Sequence, residues 1–363
     1  MIKLLKNSYI VDVKANKEIN FPENAYKCNK TLLTGSPGCG AAFTMKLKFL
    51  QDFINNSKKK RFLVIDPADE FSKMDGITQS FSDDKITCHN FKIEDTSVLQ
   101  SKLGNPFVLY VDNILEENLL TEKIDFVTLL LAFVLKRNLQ ENEIERIQRA
   151  LLDVYRPYIL YLKNNNLKYD VRKAPTFDDV AFALRKENLL LANAFAYTRL
   201  FFCQETSLFE DRHQILSSDC NLDYVLITFA IQMELLKLSL KITPSKTALY
   251  IPKADWLIYD RQPFMVNCYI VKLLDVLSSK YNVDLTMEIA DLEIFEQKGV
   301  KLLQLFDIHY IFSTPSRYLC GIISTLNLTD SVDILEDYIL NAYPGTGIRV
   351  EDKSYIQIKT KKK

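Results

Sequence analysis

The chain is poor in the residues that most often hold metals or staple small folds. Its 363 residues include three histidines, His89, His213 and His309, and seven cysteines. The cysteines (Cys28, Cys39, Cys88, Cys203, Cys220, Cys268 and Cys320) are scattered, odd in number and form no C-x-x-C pair. That pattern argues against a disulfide framework or a zinc site and points to a reducing, cytoplasmic setting. An excess of one charge is missing too: 46 basic and 46 acidic residues cancel, so no global field draws the chain to nucleic acid. The longest apolar stretches, Phe126–Leu135 and Leu189–Phe202, fall short of the ~20 residues that span a bilayer, and the second contains Arg199. The first residues show no secretory signal pattern. Membrane attachment is therefore expected only through other chains. What remains is ordinary globular composition, 48% apolar and 25% charged, with length for one large domain or two smaller ones. The basic end, Lys359-Thr-Lys-Lys-Lys363, reads as a frayed, solvated tail.

Glycine numbers only nine, and three of them fall in one short segment. Gly35-Ser-Pro-Gly-Cys-Gly-Ala-Ala42 has the glycine spacing of a phosphate-binding loop, G-x-x-x-x-G-K-[ST]. Ala41 and Ala42 stand where the Lys and the Ser/Thr belong. The missing Lys would reach the β- and γ-phosphates, and the missing hydroxyl would hold Mg²⁺. The backbone makes the loop, so Gly35, Pro37, Gly38, Cys39, Gly40, Ala41 and Ala42 are expected to form a vestigial phosphate cradle. Its N–H groups and the following helix N-terminus still favour an anion, which leaves weak ATP or ADP binding as the residual capacity. Cys39 is either a thiol activated by the helix N-terminus or a small residue filling the loop.

The context supports the loop. Thr31–Thr34 is an apolar run leading into it, Phe43, Leu47, Leu50 and Ile54 recur at helical spacing after it, and Phe62–Asp66 is a buried type of strand. Lys58-Lys-Lys-Arg61 reads as the solvated last turn of the helix. Further strands are expected at Phe107–Val111, Val225–Phe229, Ala248–Ile251, Val283–Thr286 and Tyr310–Ser313, with helices at Phe264–Ser279 and Asp330–Asn341. Gly347–Val350 and Tyr355–Ile358 read as an antiparallel edge hairpin. From about Thr121 to Arg212 the sequence is Leu-rich with helical spacing, including Glu141–Tyr161 and Val180–Phe202. No internal repeat or low-complexity segment is present.

Asn29–Gly35 runs directly into Ser-Pro-Gly38. Ile65-Asp-Pro-Ala-Asp-Glu-Phe71 is similar to an Asp-Pro-Glu-Gly-Glu-Tyr pattern, keeping Asp66, Pro67 and Glu70 with Asp69 in place of Gly. Asn105-Pro106 forms a short turn, Glu143–Tyr158 a lobe helix, Thr176–Asp179 a helix start and Tyr343–Gly347 a glycine turn. In this order the pieces resemble the C-terminal ATPase domain of the type IV secretion and conjugative-transfer ATPases, over nearly the whole chain. The resemblance implies a RecA-like P-loop α/β fold with an inserted all-helical lobe: core at 1–115 and 213–363, lobe at 116–212. Many members carry a separate N-terminal domain, which this chain is expected to lack.

The family's catalytic positions are altered. Its apolar-apolar-Asp-Glu strand end is matched by Leu249-Tyr-Ile-Pro-Lys253, which puts Pro252 and Lys253 in the acidic places. Its Thr-Gln pair is matched by Thr286-Met287, and its arginine-rich helix by Lys272 and Lys280. Phosphate neutralisation, metal binding, water orientation and the polar sensor all fail together. The expectation is a catalytically inactive, ATPase-like subunit without a cofactor, structural or regulatory in role. It would act at the cytoplasmic face of a transfer machine beside an active paralogous ATPase, other machine components or copies of itself.

Two other readings are a weak, unconventional ATPase, marked by Mg²⁺-dependent turnover, and a DNA-handling translocase, marked by salt-sensitive binding. Lys253 either supplies charge where a metal once sat or pairs with Asp66, Asp255 or solvent. Asp66 and Glu70 are relics of a catalytic centre or ties for the following loop. Arg317 is the candidate arginine finger, and Arg156 reads as a lobe-packing ion pair.

Overall fold

A computed structural model describes residues 8–19, 29–71, 74, 84, 86–91, 105–111, 120–201, 213–218, 222–257, 262–290, 302–314, 316–328, 335, 338–352 and 354–362. The chain runs β1 (Ser8–Asp12), β2 (Lys17–Glu18), β3 (Lys30–Thr34), α1 (Ala41–Asn56), β4 (Arg61–Asp66) and β5 (Thr87–Phe91). Four helices follow: α2 (Thr121–Leu135), α3 (Glu141–Asn164), α4 (Phe177–Glu187) and α5 (Leu189–Tyr197). Alternation then resumes with β6 (His213–Ser218), α6 (Leu222–Ile242), β7 (Thr247–Ile251), α7 (Phe264–Ser279), β8 (Val283–Ile289), β9 (Ile308–Phe312) and α8 (Ser316–Thr325). The last elements are β10 (Thr346–Glu351) and β11 (Ser354–Lys362).

Among the described residues the strands form one sheet in the order β2-β1-β11-β10-β9-β3-β8-β7-β4-β6-β5. From β9 to β5 every neighbour pair is parallel. From β9 to β2 every pair is antiparallel. Strands β3, β4, β7, β8 and β9 are buried almost throughout, as a parallel sheet covered on both faces requires. Successive side chains point to opposite faces. Leu33, Phe62, Val64, Ala248 and Tyr250 join a core with α1. Leu32, Leu63, Ile65, Leu249 and Ile251 join a larger core with α2 to α7.

The helices between β5 and β6 pack into that larger core. On α3, Ile147, Ala150, Leu151, Tyr155, Tyr158 and Leu162 form the buried stripe. The Tyr155 hydroxyl donates to the Phe107 carbonyl at 2.7 Å and fastens α3 to the 105–111 segment. Thr176 and Asp179 close a capping box at the start of α4. Asn188 interrupts the run at Val180–Phe202 by accepting from the Leu190 and Leu191 N–H groups, which starts α5 anew.

Five local expectations are corrected. Phe107–Val111 is not a strand: the Phe107 N–H goes to the Asn105 side chain and the Val111 N–H to the Lys168 carbonyl. Val225–Phe229 lies inside helix α6, where a long, nearly all-buried helix gives a short β-branched run no strand-like neighbour. The hairpin of β10 and β11 is not at an edge, because β11 pairs with β1, and β1 with β2. For the same reason the basic end is no frayed tail: Lys359–Lys362 is registered against Ser8–Val11. In the Lys58–Arg61 run only Lys58 and Lys59 are solvated. Lys60 is buried and pairs with Asp52 at 3.1 Å and Asp284 at 3.0 Å, while Arg61 opens β4. The expected helix at Asp330–Asn341 lies mostly outside the described residues. The chain also has strands that no sequence pattern had indicated, at β1, β2, β5 and β6.

Lys60→Ala would strand two carboxylates in the core and is expected to lower unfolding free energy by about 3–5 kcal/mol. Lys59→Ala should stay within about 0.5 kcal/mol of the parent. Urea denaturation of both variants checks the contrast.

Candidate nucleotide site

The glycine-rich segment bridges the end of β3 and the start of α1, the place a phosphate cradle occupies in a strand-loop-helix unit. Gly40 is the N-terminal cap of α1, with φ of 107°. A Cβ there would meet the Gly345 nitrogen at 2.7 Å, so glycine is required for approach as well as for conformation. Gly345 donates its N–H to the Cys39 carbonyl at 2.7 Å, and Ser36 donates to the Ser313 carbonyl at 2.7 Å. The loop is thus clasped by the turn before β10 and by the end of β9. Pro37 and Gly38 are exposed at its tip, Ala41 is buried and Ala42 half-buried. Cys39 is buried, its sulfur packed where a Gly35 side chain would have to go. Burial pushes its thiol above the ordinary range despite a backbone hydrogen bond at Ala41, so it is a filler rather than an activated thiolate.

Beside the loop, the charged groups close on one another. Lys46, one turn into α1, places Nζ 2.5 Å from Glu70 Oε2. Lys253, just beyond β7, places Nζ 2.6 Å from Glu70 Oε1. One carboxylate therefore bridges two ammonium groups drawn from different elements. Burial works against ionisation of Glu70, but both lysines hold its pKa below the ordinary value. The partner of Lys253 is Glu70, not Asp66 or Asp255, and its side chain remains half exposed to solvent. Asp255 instead accepts from the Ala290 N–H at 3.0 Å. Asp66, at the end of β4, accepts from the Phe71 N–H at 2.5 Å and so ties the 66–71 loop. Burial, then Asp69 and Glu70, push its carboxyl up, while backbone N–H groups oppose the rise. Pro252 is buried beside Lys253, whose backbone takes the left-handed φ of 45°.

Strand β8 supplies a residue that sequence comparison missed. Val283, Leu285, Met287 and Ile289 face the larger core, which leaves Asp284, Thr286 and Glu288 on the α1 face. The polar group at the C-terminal end of this strand is therefore Glu288, one residue past the apolar Met287. The signal was present as the Asp-Thr-Glu alternation in Val283–Ile289. Glu288 accepts from the Lys253 N–H at 3.5 Å. Burial, Asp255 and Glu70 push its carboxyl up to about 7, against the Lys253 N–H and ammonium. Lys46 was missed as well, because it lies beyond the loop motif itself.

Two further candidates are placed by their helices alone. Arg317 is the second residue of α8, after β9. Arg156 lies on the exposed side of α3. No group of three or more His, Cys, Asp or Glu able to hold a metal occurs among the described residues. No helix among them is long and apolar enough to cross a membrane.

No protein-family model matches the chain, and no curated protein matches it significantly. Among solved structures, VirB4 of Thermoanaerobacter pseudethanolicus superposes with a TM-score of 0.69 at 17% identity, over 98% of this chain and 96% of that one. The bacterial conjugative coupling protein TrwB, lacking its N-terminal segment, superposes with a TM-score of 0.52 at 12% identity, over 94% of this chain and 91% of that one. The chain therefore has the P-loop α/β fold of these proteins along nearly its whole length.

Glu288 makes stability depend on pH. Its folded pKa of about 7 exceeds its ordinary 4.5, so between those values the folded chain holds a proton that the unfolded chain has lost. Its contribution therefore weakens as pH rises through this window. Glu288→Gln should match the parent near pH 4 and exceed it by roughly 3 kcal/mol at pH 8. Urea midpoints measured across that range check the difference.

Proposed function

We propose that the chain is a catalytically silent, ATPase-fold subunit of a conjugation or type IV secretion machine, with a structural or regulatory role. The observation that carries this reading is the Lys46–Glu70–Lys253 bridge. An ATPase of this fold presents a loop Lys to the phosphates and carboxylates to Mg²⁺ and the attacking water. Here Ala41 and Ala42 provide neither Lys nor hydroxyl, and Pro252 and Lys253 stand at the strand end. The nearby carboxylates are committed elsewhere, Glu70 to two lysines and Asp66 to the Phe71 N–H. The site neutralises itself without a metal. Lys253 is half exposed, so its individual ion pair contributes little to stability. Its importance is electrostatic: it puts a cation where a Mg²⁺ site would need an anion.

The fold shared with a conjugative coupling protein and with VirB4 supports the setting, as does the sequence resemblance to transfer ATPases. In this reading the partners are an active paralogous ATPase, other machine components or further copies of the chain. The site of action is the cytoplasmic side, with membrane attachment through those partners. Balanced net charge favours protein over nucleic acid as the surface it meets.

Calorimetry with ATP, with and without Mg²⁺, tests the silent site. No Mg²⁺-dependent binding and no turnover are expected; micromolar Mg²⁺-dependent binding with hydrolysis would overturn the reading. The double variant Ala41→Lys with Ala42→Thr should gain about one to two orders of magnitude in nucleotide affinity from restored charge-assisted hydrogen bonds. It should still not hydrolyse ATP, because Pro252 and Lys253 remain.

A further inference from the structure

A cavity of about 400 Å³ lies between α2, α6 and α7. It is far from the phosphate loop in the logic of the fold. The loop follows the C-terminal end of β3, whereas Lys241 ends α6 just before β7, and Lys280 and Tyr281 lie just before β8. Strands β3, β8 and β7 are parallel neighbours, so the cavity opens at the opposite end of the sheet.

Its polar wall carries unbalanced charge. Glu234, buried, takes Lys123 at 3.1 Å and also pairs closely with Lys237. Glu122 takes Lys241 at 3.2 Å, Lys280 at 3.5 Å and Lys237 at 3.6 Å. Among the described residues, four ammonium groups thus share two carboxylates, a surplus of two positive charges. Lys272 and Asp125, at 2.7 Å, form a balanced pair at the rim. Although burial opposes its ionisation, these lysines hold Glu122 at about 2, and burial pushes Lys123 below its ordinary range. Among the described residues the Tyr281 hydroxyl has no hydrogen-bond partner, while Lys241 and Lys280 lie over its ring at 6.0 and 5.7 Å. The remaining wall is apolar, from Val108, Leu109 and Val276.

We propose that this cavity binds a small phosphate monoester, with its dianionic phosphate on Lys241 and Lys280 and its organic part against the apolar wall. The volume is within the range of small-ligand sites. Two surplus charges match a phosphomonoester dianion better than the single charge of a phosphodiester, so a nucleic-acid backbone is the poorer fit. Lys241 is partly buried and so only weakly screened, while Lys280 reaches in from the exposed rim, and charge-assisted hydrogen bonds to both make the pairing favourable at low salt. The ligand would join α2, from between β5 and β6, to α6 and α7.

The test is calorimetry on the whole chain at low salt with phenyl phosphate, inorganic phosphate and methyl phenyl phosphate. One-to-one binding is expected, tightest for phenyl phosphate and weakest for the diester. Lys241→Ala and Lys280→Ala, both at partly exposed positions that leave the fold intact, should each weaken phenyl phosphate roughly tenfold or more. Ala42→Asp, which places a carboxylate in the phosphate loop, should leave that binding in place. Absence of binding at millimolar phenyl phosphate would overturn the proposal, as would equal affinity for the diester. So would binding that Ala42→Asp abolishes and the two lysine variants spare.

Discussion

The parallel strands are buried on both faces, and this constraint organises the rest of the molecule. Each apolar residue of β3, β4, β7 and β8 belongs to the α1 core or to the larger core of α2 to α7. A one-residue shift exchanges the two environments. That is why Met287 packs among the helices while Glu288 stands on the loop face. It is also why Leu32 and Leu33, adjacent in sequence, belong to different cores. Polar groups then collect where the strands end. At the C-terminal ends they make the self-neutralised cluster around Glu70, and at the N-terminal ends of β7 and β8 they make the lysine-rich cavity.

The two clusters differ in how their charge is resolved. Around Glu70, a single carboxylate holds two ammonium groups, and further carboxylates lie close by in Asp66 and Glu288. Glu288 meets the excess of negative charge and its own burial by keeping its proton near neutral pH. Around Glu122 the excess is positive among the described residues, with Lys237 buried, Lys241 partly buried and Lys280 exposed at the rim. The phosphate loop is further fixed by Gly345 and Ser313, which hold its backbone from outside. Its shape therefore survives without the side chains that give such loops their chemistry.

Much of the fold was legible because its signals are local. The glycine spacing, the apolar run of β3 and the periodicity of α1 identify the strand-loop-helix unit without any tertiary knowledge. Phe264–Ser279 coincides with α7 for the same reason. The errors have a common origin in tertiary context. Val225–Phe229 reads equally as buried strand or buried helix, and only the continuing run to Ile242 decides it. The basic end is strand because β1 pairs with it, and Lys60 is buried because Asp52 and Asp284 meet it from other elements. The candidate site was legible in what it lacked, at Ala41, Ala42, Pro252 and Lys253. The ion bridge was not, since Lys46, Glu70 and Lys253 are brought together only by the sheet.

In the function proposed above, Glu70 and its two lysines occupy the place where an active member of this fold would hold metal and phosphate. A crystal structure of the chain grown in millimolar Mg²⁺ and a non-hydrolysable ATP analogue tests this most directly. Glu70 is expected still to bridge Lys46 and Lys253, with no metal at the end of β7. A Mg²⁺ ion bound by Asp66, Glu70 or Glu288, with Lys253 turned onto the phosphates, would contradict it.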